Sequence, residues 1–355
     1  MISDMTNIET PALVVDEAVA LRNIRAFQDH CDAAGLTLRP HVKTHKTLHF
    51  ARAQIAAGAV GITCQKIGEA EAMADGGLDD ILITYNIVGE AKLARLRALA
   101  GRVTALAVTA DDQAVIDGLS DAFAGADRPL RVLVECDTGA RRCGVQSPQA
   151  AAALAVYIAG RPGLRFGGLM TYPAPGGGAA VSAFMREATG LLEAQGLSCP
   201  AVSSGGSPDM WNAGQDDQVS EYRIGTYIYN DRSLVERGTC GWHDCAAHVL
   251  ATIVSAPAPD RAVIDAGSKV LTSDLFGLRG HGHVVGHPEI RIAGLSEEHG
   301  VLEVDPQRPL TVGQRVRIVP NHICVVSNMF DDIWIKEASS GGFSRIKVDA
   351  RGRVT

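Results

Sequence analysis

The run RPHVKTHK (39–46) crowds His41, Lys43, His45 and Lys46 together. If it ends a strand, His41 and Lys43 point to one face while Val42 points away. A lysine held among other cations has its ammonium form disfavoured, and the neutral amine can then form a Schiff base with an aldehyde. A basic loop facing solvent is the plainer alternative, and Lys46 lies farther into the loop than Lys43. Two glycine-bearing turns offer a different chemistry. SSGGSPDM (203–210) and IGT (224–226) carry small residues that let main-chain N–H groups approach a phosphate. In VPNHICVVSN (319–328), His322 and Cys324 alternate along a strand-like run, so both could face one ion. Thiolate with imidazole favours zinc over manganese or magnesium.

Such groups need a scaffold that brings distant segments together. From Leu36 to about Tyr229, short β-rich runs alternate with longer Ala-, Leu- and charge-rich stretches, as expected for parallel strands joined by crossover helices. The strands are LRPHVK ending at Lys43, then 60–64, 81–86, 103–108, 131–136, 166–172, 201–206 and 223–229. Helical apolar spacing marks 17–34, 48–58, 66–75, 90–100, 149–160 and 181–195. Repeated βα units in one run imply an α/β fold closed as a (β/α)8 barrel, which leaves no edge strand to protect. After about Gly238 the segments 248–256, 261–267, 289–296, 301–305 and 314–320 read as strands without helices between them. The expected division is therefore a barrel over 10–237 and a mainly β domain over 238–355.

In a barrel, functional groups project from the C-terminal ends of the strands, and the loops after strands seven and eight commonly bind phosphate. Those ends are polar here: Lys43, Gln65, Asn86, Asp137, Arg141, Arg142, Tyr172, Ser203, Ser204, Ser207 and the stretch from Gly225 to Tyr227. Together the glycine-bearing turns and Lys43 would bracket a phosphate-bearing aldehyde.

Composition narrows the partners. A net charge of -7 disfavours nucleic acid and anionic membrane surfaces, leaving small molecules. No apolar run approaches the ~18 residues of a membrane span, and the opening MISDMTNIET carries no secretory signal, so a cytoplasmic protein is expected. The 8 cysteines in so long a chain form no disulfide framework; Cys31, Cys64, Cys136, Cys143 and Cys199 sit singly among apolar or small residues, and most of the cysteines are expected to be buried free thiols. CGWHDCAAH (240–248) has the ligand types of a closed zinc site, but a domain this large needs no such staple. His281, His283 and His287 could line a substrate entrance.

ETPALVVD (9–16), RPHVKTHK, ITCQK (62–66), RRCGV (141–145), SSGGS, EYRIGTYIY and VPNHICVVSN resemble the D-threonine aldolase and D-serine dehydratase family over nearly the whole chain. The resemblance implies the fold-type III arrangement of pyridoxal 5'-phosphate enzymes: an alanine-racemase-like barrel with a C-terminal β domain, as a homodimer. It implies Lys43 as the Schiff-base lysine, with His41 and Gln65 in its surroundings. Arg142 would reach the polar edge of the cofactor ring and Tyr172 would contact the ring. Ser204, Gly205, Gly206, Ser207, Gly225, Thr226 and Tyr227 would surround the phosphate. His322 and Cys324 would ligate a divalent metal, with His322 counted among the catalytic residues.

The family's aldolases carry His-x-Asp at the metal motif and its dehydratases His-x-Cys, so this sequence leans toward a dehydratase. The expected substrate is a β-hydroxy-D-amino acid, D-serine or 3-hydroxyaspartate, giving a keto acid and ammonia. Retro-aldol cleavage to glycine and an aldehyde is the alternative. A non-catalytic cofactor carrier and an amino-acid racemase are remoter ones, since neither needs a metal at a β-hydroxyl.

Overall fold

The computed structural model describes residues 4–355. The first three residues, part of the opening read as lacking a secretory signal, lie outside the described residues. The chain opens with β1 (Ala12–Asp16) and α1 (Glu17–Ala33), followed by β2 (Thr37–Leu38), α2 (Leu48–Ala57), β3 (Ile62–Cys64), α3 (Ile67–Asp75), β4 (Asp80–Ile83) and α4 (Glu90–Ala100). Then come β5 (Ala105–Ala110), α5 (Gln113–Phe123), β6 (Leu130–Cys136), α6 (Pro148–Ala159), β7 (Leu164–Thr171), α7 (Gly178–Ala194), β8 (Val202–Ser204) and β9 (Glu221–Tyr222). The remainder is α8 (Arg232–Glu236), β10 (Ala247–Ala258), β11 (Arg261–Ile264), α9 (Ser268–Leu271), β12 (His283–Val284), β13 (Arg291–Leu295), β14 (Gly300–Glu303), β15 (Arg315–Val319), α10 (Ile323–Met329), β16 (Asp332–Lys336) and β17 (Phe343–Lys347).

Two compact units emerge: residues 26–43, 48–225 and 353–355 in one, and residues 4–25, 44–47 and 226–352 in the other. The first contains a parallel sheet in the order β2-β9-β8-β7-β6-β5-β4-β3. A parallel bridge from His41 to Thr63 joins its two ends, closing the barrel. Leu82, Ala107, Leu133 and Met170, one from each of β4 to β7, form a buried apolar cluster, each larger side chain contributing roughly 1.5–3 kcal/mol by burial. A buried polar chain accompanies it. Arg223 Nε donates to Ser203 Oγ at 2.9 Å, Ser203 Oγ to Glu221 Oε1 at 2.6 Å, and Arg39 to Glu221 at 2.8 Å and Asp80 at 2.7 Å.

The helices follow from local signals. In α5, Asp112 caps the N-terminus by accepting from Ala114 N at 2.7 Å, and Val115, Ile116, Leu119 and Phe123 supply one buried face. α6 has Ser147 as its cap and Pro148 at its first turn, where no N–H is needed. The sequence reading identified the other long helices to within a few residues but not α5.

The second unit is built on a sheet in the order β13-β14-β11-β10-β1-β16-β17, with β15 pairing β10 and β12. Its pairings are antiparallel except for β1 with β16. Ile8, Ala12, Val14, Leu250 and Phe343 form one of its apolar cores. Residues 4–25 therefore group with the C-terminal strands, whereas the sequence division had placed residue 10 onward with the barrel. Strands β1, β16 and β17 were not expected from sequence. Among the described residues, no helix is long and apolar enough to cross a membrane.

Candidate active site

Beyond β2 the backbone stays sheet-like: Arg39 N donates to Tyr222 O at 3.0 Å and His41 N to Ile224 O at 2.7 Å. Pro40, lacking an N–H, interrupts the ladder, and residues 42–44 turn into a short 3-10 helix. Lys43 therefore does not share a strand face with His41, as the sequence suggested. Instead Lys43 N lies 3.3 Å from His41 Nδ1, while His41 Nε2 meets Gln65 Oε1 at 3.2 Å. Gln65 Nε2 donates to Thr84 O at 2.9 Å, which fixes Oε1 as the acceptor facing His41. These contacts suit an Nε2–H tautomer of His41. His41, His45 and Lys46 are buried, whereas Lys43 is partly open to solvent.

In the same unit, the Arg142 guanidinium lies 4.7 Å from the Tyr172 ring centre and 3.8 Å from the Glu135 carboxylate. Glu135 is buried and accepts from Thr109 Oγ1 at 3.2 Å. Burial raises its pKa, with Arg142 and Arg223 pulling the other way. The loop carrying Arg142 is tied down from both sides. Asp137 Oδ1 accepts from Gly139 N at 2.9 Å and Arg141 N at 3.0 Å, and Asp111 accepts from Gly144 N at 2.7 Å and Asn86 Nδ2 at 2.6 Å. Gly144 has φ 117, and a Cβ there would come 2.5 Å from Asp137 N. Asn86 and Asp137, expected at strand ends, thus hold this loop.

After β8, Gly205 (φ 135) brings the chain so close to the next strand that a Cβ would meet Arg223 O at 2.3 Å. Gly206 follows, then Ser207 opens a 3-10 turn; Tyr222 donates its hydroxyl proton to Gly206 O at 3.1 Å. A Cβ on Gly206 would stand 3.5 Å from the Tyr172 ring. Ser204 and Ser207 are buried. The expected eighth strand, 223–229, is only Glu221–Tyr222; beyond Gly225, Thr226–Ile228 form a 3-10 turn, with Asn230 N bonded to Thr226 O at 2.7 Å. Tyr227 is fully buried. An amine, an arginine stacked on a phenol, and hydroxyls beside glycines form a donor set that fits a phosphorylated aromatic aldehyde.

In the other unit, Pro320 ends the strand and His322 caps α10, so His322 and Cys324 are not on the expected strand. The cap is non-local: Asp231 Oδ2 accepts from Ile323 N at 3.2 Å and meets His322 Nδ1 at 2.9 Å. Asp231, which also caps α8, is fully buried. Cys324 Sγ lies 3.1 Å from Thr44 Oγ1 and 3.5 Å from Thr226 Oγ1. Burial opposes charge on His322, but Cys324 and Asp231 outweigh it and raise its pKa to about 11. This corner therefore favours a cation. With Nδ1 engaged by Asp231, Nε2 is the ring atom that suits a metal, and Cys324 supplies a sulfur. Among the described residues, no group of three His, Cys, Asp or Glu side chains forms a ready-made metal cluster. A two-ligand site leaves positions for water and substrate.

The sequence reading missed Asp231, Glu135 and Asp111. Asp231 carries a signal only as a helix cap before RSLVE; nothing nearby points to His322. Of the other histidines, His283 stacks on Trp242 at 3.8 Å and His287 meets Glu289 at 3.3 Å.

The alanine racemase N-terminal domain family matches residues 15–233, and the serine dehydratase domain family matches 246–335. D-threonine aldolase of Arthrobacter sp is 34% identical over 374 residues, covering 96% of this chain and 95% of that protein. The chain belongs to the D-threonine aldolase and D-serine dehydratase family. The family is one of lyases acting on β-hydroxy-D-amino acids, and its members similar to this chain are pyridoxal-phosphate-dependent enzymes of fold-type III. The crystal structure of D-threonine aldolase from Filomicrobium marinum superposes with a TM-score of 0.91 at 32% identity, covering 99% of this chain and 98% of that one. D-threo-3-hydroxyaspartate dehydratase from Delftia sp. HT23 gives 0.87 at 30% identity, covering 96% and 98%; a cysteine-to-alanine variant of a D-threo-3-hydroxyaspartate dehydratase has been solved in metal-free form. Family membership thus agrees with the expected alanine-racemase-like fold and with its lyase chemistry.

Proposed function

We propose that the protein is a metal-dependent dehydratase of β-hydroxy-D-amino acids, converting D-serine or a 3-hydroxyaspartate to a keto acid and ammonia. The observation that carries this reading is the arrangement of Asp231, His322 and Cys324, in which a carboxylate orients an imidazole beside a thiol. The sulfur favours zinc over manganese or magnesium. Bound there, the ion would supply Lewis acidity toward the β-hydroxyl. Pyridoxal phosphate would supply an electron sink for the bonds at Cα.

The protein's own groups then have distinct tasks. Lys43 would hold the cofactor through its aldehyde, and its amine is the base placed to take a proton from the substrate Cα. Arg142, steadied by Glu135 and Tyr172, would set the ring edge, while Ser204, Gly205, Gly206, Ser207, Gly225 and Thr226 would receive the phosphate. His41 and Gln65 fix the chain entering Lys43. A homodimer is the expected assembly.

Cleavage to glycine and an aldehyde is the second reading, favoured by the 34% identity to a D-threonine aldolase. Product analysis separates them: purified protein with pyridoxal phosphate and zinc is given D-serine, D-threonine and D-threo-3-hydroxyaspartate, with and without a chelator. Keto acid plus ammonia, lost on chelation and in Cys324→Ala, supports dehydration. Glycine plus aldehyde moves the protein to the aldolases, and products indifferent to chelation remove the metal from the reading.

A further inference from the structure

A cavity of about 550 Å³ opens at the N-terminal end of the barrel strands, and its charged lining is Arg97, Arg128, Arg165 and Asp127. It also includes Ala105 and Leu130, the first residues of β5 and β6, while Arg165 is the second residue of β7. Arg142 and Tyr172 lie beyond the other ends of β6 and β7. The 7 residues of β6 hold those two ends roughly 20 Å apart, at about 3.3 Å per residue.

Elsewhere in the same unit arginines are matched by acids: Arg95 by Glu71 at 2.7 Å, Arg161 by Asp117 at 3.1 Å and Arg186 by Asp217 at 3.1 Å. Among the described residues, no carboxylate pairs with Arg97, Arg128 or Arg165. Two of the three cap helices. Arg128 Nη2 donates to Ala100 O at 3.0 Å and Val103 O at 2.8 Å at the end of α4, and Arg97 Nη2 donates to Gly125 O at 3.0 Å just past α5. Each helix end offsets about half a unit of positive charge. With Asp127 counted as well, roughly one positive charge is left over. Arg97 Nη1 is sealed from solvent with no hydrogen-bond partner, and the exposed Arg165 side chain makes no hydrogen bond or ion pair among the described residues.

We infer that this cavity binds a small organic anion, with a carboxylate or phosphate group on Arg165 and the rest of the molecule against Ala126 and Pro129. The class follows from charge and size. A chain of net charge -7 repels anions in general, so an arginine cavity without matching acids is a local exception to its field. A guanidinium takes a carboxylate or phosphate through paired N–H donors, and it disfavours a cation. About 550 Å³ is more than an inorganic ion needs and falls in the range of small-molecule sites, roughly 300–1,000 Å³. This site stands apart from the catalytic residues and does not depend on the reaction proposed for them.

The test is isothermal titration calorimetry of the full chain, loaded with pyridoxal phosphate and zinc, against succinate and glycerol 3-phosphate, with putrescine as a cationic control. At least one of the two anions should bind at one site per chain, more weakly as salt rises, and the tighter of them names the group recognised. Arg165→Glu and Arg165→Met should each weaken binding about tenfold or more, the loss expected for one charged hydrogen bond. The visible absorbance of lysine-bound pyridoxal phosphate should stay unchanged in both. No heat with either anion, binding that both variants retain, or equal binding of putrescine would each overturn the assignment.

Discussion

Asp231 Oδ2 sits 2.9 Å from His322 Nδ1, and the same oxygen accepts from Ile323 N. One buried carboxylate thus sets the ring's orientation and starts the helix that carries Cys324. Asp231→Asn removes the charge and keeps one acceptor oxygen, so one of the two helix starts it caps faces an NH2 group instead. We expect zinc affinity to fall by roughly 10–100-fold, read by competition with a colorimetric chelator, together with a lower melting temperature. Unchanged affinity would mean that the couple is structural only.

Lys43 and Lys46 can be told apart by spectroscopy. Lys43→Ala should abolish the visible absorbance of lysine-bound pyridoxal phosphate, while Lys46→Ala should keep it. Lys46 is buried and its Nζ lies 3.5 Å from Ala350 O, so its loss should appear in stability instead. The reverse spectral pattern would transfer the cofactor to Lys46.

His248 predicts an acid-sensitive fold. Its Nε2 is sealed from solvent with no hydrogen-bond partner among the described residues, and burial, then Arg317, lowers its pKa to about 4. The unfolded chain takes up a proton near pH 6.5, which the folded chain refuses. Stability is therefore full above that pH and declines as pH falls toward 4, by up to about 2 kcal/mol once partial solvent access is allowed for. Melting temperatures of His248→Gln between pH 7.5 and 4.5 should show a shallower decline; a parallel curve would count against it.

Arg39 binds Glu221 and Asp80 inside the barrel unit. Burial would raise the Glu221 pKa, but Arg39 and Ser203 bring it below the usual value. Arg39→Met strands a buried carboxylate and should cost about 3 kcal/mol in urea unfolding. Adding Glu221→Gln should recover part of that loss. Purely additive costs would show that the pair is not coupled.

The barrel was legible because its signals are local. The apolar spacing of 17–34, 48–58 and 90–100 marked helices that the structure reproduces within a residue or so. Both chemical motifs, RPHVKTHK and VPNHICVVSN, were found by residue type, yet both were assigned the wrong local conformation. At Lys43 the missing N–H of Pro40 and the 3-10 turn intervene; at His322 the helix start is fixed by an aspartate 91 residues away in sequence. Contacts of that range leave no periodicity to read. Glu135 was missed for another reason: its partner Arg142 sits in the loop just after the strand, where no periodicity marks the contact.

Strand β1 has consequences for how the chain is made. Its antiparallel partner, β10, and its parallel partner, β16, both lie beyond the entire barrel sequence. A ribosome therefore releases β1 before the whole barrel sequence, which must follow before that strand has either neighbour. In the interval Leu13 and Val15, fully buried in the finished protein, have no sheet to enter. The nascent chain thus carries an apolar segment whose protection waits on β10 and β16, an interval in which chaperone holding would matter most.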